Sequence, residues 1–182
     1  MTPQTKAPAV QLPDGPNAKR NFILQQGLGE PLPETCPLQY SALLFQPRLI
    51  ALWLVAGAIF QTPFIFFALT AVLWWSALLP RLNPFDALYN LTRANSSGIT
   101  LTAAPGPRRF AQFLAGSFAL AIAISLTLGW RMVAFAIEVF FMLAVGALVL
   151  GGFCFGSFIF HFICGRAGFA RRTLPWSRGA RS

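Results

Sequence analysis

Two apolar tracts, residues 49–79 and 110–163, constrain this chain more than anything else in it. An α-helix crosses the ~30 Å hydrocarbon core of a bilayer with about 20 apolar residues. Each tract therefore holds sequence for two crossings, and one long polar segment, residues 80–109, parts them. Charged residues make up only 10% of the chain and hydrophobic residues 55%, against roughly 25% and 45–50% in soluble domains. Together these features predict an all-α, polytopic membrane protein.

The number of crossings turns on the break Gln61-Thr62-Pro63 in the first tract. As one helix the tract would reach about 46 Å at ~1.5 Å per residue, too long for a single crossing. Two helices meeting at Pro63 are short, unless the first begins near Leu43 and Arg48 snorkels to the interface. The distribution of basic residues favours two. With one hairpin here and another at Gly129-Trp130-Arg131, the N-terminal segment, the central loop and the tail share a side. They carry 4, 4 and 5 basic residues, against Arg131 alone opposite. A single kinked helix would split the same charges nine to five. The positive-inside rule selects the hairpins, with both termini cytoplasmic in a bacterial inner membrane. Trp53, Trp74, Trp75 and Trp130 then fall near helix ends, as an aromatic belt would.

Three segments follow. Residues 1–40, with seven prolines and no apolar run, read as an extended cytoplasmic arm without the apolar core of a secretory signal. Residues 41–164 form the four-helix transmembrane domain, and residues 165–182 a basic cytoplasmic tail. The net charge of +9 suits lipid orientation, and no basic, aromatic-interleaved module points to nucleic acid.

Within the central loop, Asn83 can cap a helix, Pro84 fits its first position and Asp86 its first turn. Phe85, Leu88, Tyr89 and Leu91 make residues 83–91 a short amphipathic helix for the membrane surface. Arg81, Arg108 and Arg109, with Arg171 and Arg172 of the tail, form a basic cytoplasmic face for anionic lipid or an acidic partner.

The third helix, about residues 110–128, sets Ala111, Ala115, Ala119, Ala123 and Thr127 four apart. Small residues so spaced let backbones approach closely in lipid. Ala147/Gly151 and Gly152/Gly156 offer the same spacing in the fourth helix and the run beyond it. The two helices are expected to pack together. The apolar run past one membrane thickness must bend at Gly151-Gly152, leave the bilayer or meet another protein.

Few residues could carry chemistry. Glu138, the sole acidic residue inside the apolar spans, is costly there and a functional candidate by default. Its bland reading is a side chain reaching toward Arg131. His161 has Ser157 and Gly165 four residues away on either side, room that a haem or pigment ligand would need; the commoner role is a hydrogen-bonded structural histidine. Cys36, Cys154 and Cys164 form no CxxC pair. Contact with a pigment, a quinone or a lipid is left open, and no metal cluster is legible.

Four motifs carry a resemblance covering about residues 36–164. They are Cys36-Pro37, Arg81 with Asn83-Pro84, Pro107-Arg108-Arg109-Phe110-Ala111, and Cys154-Phe155-Gly156-Ser157. In order and spacing the chain resembles a family of small bacterial integral membrane proteins, domain-of-unknown-function family 4395. The resemblance implies four transmembrane helices. It also implies thiol chemistry, since members end in a Cys-x-Gly-Cys-like motif and some occur with thioredoxin-like partners. Here Ser157 stands where the second cysteine would be, and a dithiol relay needs a resolving thiol nearby.

No nucleophile–base pair, phosphate loop or cofactor fingerprint is visible. The expected role is a non-catalytic accessory subunit of a larger respiratory or photosynthetic membrane complex, with other membrane subunits and lipid as partners. Alternatives are a thiol-redox protein using Cys36 with Cys154 or Cys164, and a small transporter with Glu138 in its path.

Overall fold

A computed structural model describes residues 18–177, and among these the chain is helical with no strand. The helices are α1 (Ala18–Gln25), α2 (Cys36–Leu43), α3 (Phe45–Phe60), α4 (Pro63–Leu78), α5 (Pro84–Thr92), α6 (Ala94–Ser97), α7 (Gly106–Thr127), α8 (Arg131–Gly151), α9 (Phe155–Ile163) and α10 (Ala167–Arg172). Prolines open α2, α4, α5 and α7 within their first two positions, where a missing N–H costs nothing. Left-handed residues close others: Gln61 (φ 47°) after α3 and Gly152 (φ 64°) after α8. The long last apolar run thus breaks at Gly152, and α9 sets off in a new direction.

Three helices are long and apolar enough to cross a membrane: Cys36–Phe60, Gly106–Thr127 and Arg131–Gly151. The first joins α2 and α3 across Leu44. Its 25 residues reach about 37 Å, starting well before Leu43. A multi-pass membrane protein agrees with this. α4 is apolar but has only 16 residues, about 24 Å. Between 22% and 33% of each long helix's apolar window is buried, so most of its surface faces outward.

The main core lies between α3, α4, α7 and α8. Leu54, Phe66, Leu69, Leu73, Ala119, Ile122, Ala123, Ala134 and Phe141 are each at most 3% exposed. Glycines set the spacing: a Cβ at Gly57 would lie 2.5 Å from Phe66, and one at Gly116 2.4 Å from Trp74. Thr70 Oγ1 donates to the Gly116 carbonyl at 3.3 Å, and the Trp74 ring stacks on Phe113 at 5.5 Å.

α7 packs against α8 and α9, as expected of the fourth helix and the run beyond it, but its small-residue stripe also meets α4. Ala119 and Ala123 enter the core, Gly116 meets α4, and Ala111 meets Gly156 of α9. Gly151 has no neighbour within 4 Å at its Cβ position, and Gly152 faces Tyr40 of α2. Ala115 is only partly buried. Spacing shows which residues can approach closely, but the partner is set by where the chain turns. Enlarging Ala119, which is wholly buried, should cost about 1–3 kcal/mol through overpacking. Ala119→Leu is expected to accumulate poorly in membranes; wild-type levels and an unchanged melting temperature in detergent would contradict this packing.

The N-terminal segment also departs from the extended arm expected. Residues 1–17 lie outside the described residues, but 18–25 are helical and 36–43 begin the first long helix. Phe22 and Ile23 are buried in a second core with Leu43, Leu44, Cys36 and Cys154. Asn21 Nδ2 donates to the carbonyls of Leu174 and Ser177, fastening α1 to the segment after α10.

Candidate functional site

The loop helix α5 begins as its sequence dictates. Asn83 Oδ1 accepts the Phe85 N–H at 3.0 Å, so the Asn83 amide nitrogen turns to Asp86 Oδ2, also at 3.0 Å. The other oxygen, Asp86 Oδ1, accepts from Arg108 Nη2 at 2.6 Å. That nitrogen also donates to Gln46 Oε1 at 2.9 Å, and Gln112 Nε2 donates to the same oxygen at 2.9 Å. Five side chains from α3, α5 with its cap, and α7 form one network, each no more than 6% exposed. Burial pushes the Asp86 carboxyl above its ordinary range, against the charge and hydrogen bond of Arg108 and the Asn83 amide. Ion pairs so desolvated add little net stability but are costly to break. The node ties the central loop to the starts of α3 and α7.

Arg108 is thus not part of an exposed basic face. Arg81, Arg109, Arg171 and Arg172 are exposed. Consecutive helical residues point about 100° apart, so Arg108 turns inward while Arg109 turns out. Arg109 Nε donates at 2.8 Å to the Ala77 carbonyl in the last turn of α4, filling a group that a helix end leaves unpaired.

A second polar cluster joins α1 to α9. His161 Nε2 lies 3.0 Å from the Gln25 carbonyl. A carbonyl only accepts, so Nε2 donates this hydrogen bond. Gln25 Oε1 accepts the Cys154 N–H at 3.1 Å. Gln25 is fully buried and His161 is 3% exposed. Aromatic rings occupy part of the space expected around His161, while nothing lies within 4 Å of a Cβ at Gly165. Phe160 and Phe169 meet its ring edge-to-face, and Ser157 Oγ turns away to the Pro107 carbonyl. Cys36 and Cys154, 118 positions apart (154 − 36), share the second core, whereas Cys164 is exposed.

Glu138 is buried on α8, 2% exposed. Its partner is Gln61, whose Nε2 lies 3.0 and 3.3 Å from the two carboxylate oxygens and donates also to the Ala58 carbonyl. The left-handed turn at Gln61 aims this amide, and Arg131 makes no ion pair with Glu138 among the described residues. A hydrogen bond of this kind is worth about 0.5–1.5 kcal/mol net. Gln61→Ala should lower the melting temperature in detergent by several degrees; no shift would show that the bond does not hold α8 to this turn.

Sequence reasoning missed Gln25, Gln46 and Gln112, whose side-chain amides reach partners 62–129 positions away. Their one signal was position: Gln46 and Gln112 are uncharged polar residues inside apolar helices.

No curated protein and no solved structure matches the chain. The family described as Domain of unknown function (DUF4395) matches residues 41–164, from α2 to the residue after α9. The chain belongs to that family.

Proposed function

We propose that this chain is a four-span protein of the bacterial inner membrane, serving as a non-catalytic accessory subunit of a larger respiratory or photosynthetic complex. α3 with α4 and α7 with α8 are its two hairpins. The short α4 crosses with help from the exposed apolar residues Leu79 and Leu82 beyond its end and local thinning of the bilayer. Three polar links support this topology. The Asp86–Arg108 node gathers the starts of α3 and α7 with the loop, and α1 and α9 bond to each other through Gln25. The Gln61–Glu138 bond joins the α3–α4 turn to α8. Both termini then lie on the cytoplasmic side with the basic residues, and Arg131 opposite.

One observation carries the accessory role: large apolar side chains are exposed on segments outside the three long helices. Leu32 (69%), Ile163 (70%) and Trp176 (68%) sit on the arm, at the end of α9 and beyond α10. Exposed apolar side chains away from the long helices are the surface that neighbouring subunits could cover. Solubilised in mild detergent, the protein should be recovered in a large assembly. A free monomer at native abundance would count decisively against the role.

A second reading rests on the shared burial of Cys36 and Cys154 in one small core. A thiol-redox role would oxidise that pair to a disulfide, passing two electrons to a membrane or thioredoxin-like acceptor and releasing two protons. Normal function of a Cys36→Ser/Cys154→Ser/Cys164→Ser variant would end this reading.

A further inference from the structure

Along its outward face the molecule carries a groove of about 620 Å³ between α3 and α4, closed at one end by α5. That size falls in the range of about 300–1,000 Å³ typical of ligand sites. Its walls include Leu52, Trp53 and Ala56 of α3, Ile65 and Val72 of α4, and Phe85 of α5. The wall is almost wholly apolar, and the indole N–H of Trp53 is already used. Trp53 Nε1 donates to the Ile65 carbonyl at 3.1 Å.

The closed end has a different character. Leu49 and Pro84 line it, and next to them in the chain stand Arg48, one residue before Leu49, and Arg81, three before Pro84. Both arginines are exposed, and neither has an ion pair among the described residues. An apolar trough whose lining residues Leu49 and Pro84 stand one and three positions along the chain from two exposed cations suits a molecule with an aliphatic chain and an anionic head.

We infer that the groove holds one acyl chain of an anionic glycerophospholipid, with its phosphate between Arg48 and Arg81. The inference rests on the membrane reading above, since α3 and α4 must stand in the bilayer for a lipid to enter sideways. Arginine suits the headgroup because its planar fork binds phosphate through two parallel hydrogen bonds. The apolar chain contributes through burial, at about 0.8 kcal/mol per methylene removed from water, but that gain is already available in the bilayer. Selectivity for this site over bulk lipid therefore resides in the two arginines and the shape of the trough.

The test uses the full chain, extracted from membranes, stripped of lipid in detergent and examined by native mass spectrometry. Phosphatidylglycerol and phosphatidylcholine with identical acyl chains are added separately. One phosphatidylglycerol should bind with at least about tenfold preference, the ratio that one charge-assisted contact of ~1.4 kcal/mol supplies. Arg48→Gln/Arg81→Gln should abolish the preference. Ala56→Trp, which fills the trough, should abolish binding of both lipids, and Leu52→Gln, at an exposed wall position, tests the same point without crowding the core. Equal binding of the two lipids, a preference unchanged in the double arginine variant, or an isoprenoid quinone or second copy of the chain occupying this face would overturn the inference. Resistance of the protein to carbonate extraction separates these outcomes from failure of the membrane reading itself.

Discussion

Asp86→Ala should destabilise the protein by about 3–5 kcal/mol, the cost of leaving one member of a buried ion pair alone. The carboxylate uses both oxygens, one on Arg108 and the other on Asn83. Removing it leaves a guanidinium 6% exposed, with only Gln46 Oε1 to receive it, an oxygen already shared with Gln112. Asp86→Asn should fall between wild type and Ala. An amide has one acceptor oxygen, so either Arg108 or Asn83 then faces an N–H donor. Asn83 cannot turn to compensate, because its own oxygen caps α5 through Phe85. The decisive measurement is a double-variant cycle. Asp86→Ala and Arg108→Met are each expected to be severe, and the double variant less severe than their sum, since it buries no lone charge. Additive effects on the melting temperature in detergent would mean that the pair does not interact energetically. An unchanged Asp86→Ala would remove the node as the link between the central loop and the helix starts.

The parts of this fold that were legible in the sequence are those set by neighbours along the chain. The Asn-Pro-x-Asp segment announced the cap and start of α5. Pro63 and the residues around Gly129 marked helix boundaries, and Gly152 marked the break in the last apolar run. These signals are local because a cap, a proline ring and a left-handed residue act on the few peptides beside them. The polar node was not legible for the opposite reason. Arg108 and Arg109 are adjacent and chemically alike, and only the turn of α7 sends one to Asp86 and the other to the end of α4. Asp86 looked like a helix-dipole residue and serves also as a counter-ion. The same holds for α1, whose sequence Ala-Lys-Arg-Asn-Phe-Ile-Leu-Gln carries little apolar periodicity. Its order comes from Asn21 and Gln25 finding partners beyond residue 150. Of the candidate sites, Glu138, Cys154 and His161 are all buried, and their partners Gln61 and Gln25 lie far away in the chain.

Gly156→Val should detach α9 from α7 while leaving the four-helix core assembled. A Cβ at this position would lie 2.7 Å from both the Cα and the Cβ of Ala111, and a backbone atom cannot swing aside as the tip of a side chain can. α7 itself is held by Thr70 and Trp74 of α4, so the strain must be relieved by α9. Its nine residues bring only modest anchors to that contact: the Ser157 bond to Pro107, and Phe160 against Phe110. Overpacking of this kind costs about 1–3 kcal/mol, comparable to those anchors together. Movement of α9 would draw Cys154, which precedes it, out of the core it shares with Cys36. In a Cys164→Ser background, which removes the exposed thiol, a maleimide should therefore label Gly156→Val much faster than the parent. Gly151→Ala is the matched control. Its Cβ meets nothing within 4 Å, and alanine favours the helix over glycine by up to about 1 kcal/mol. Labelling should stay slow there and the melting temperature hold or rise. Equal labelling of the two variants would mean that the glycine at the α7–α9 crossing does not set their approach.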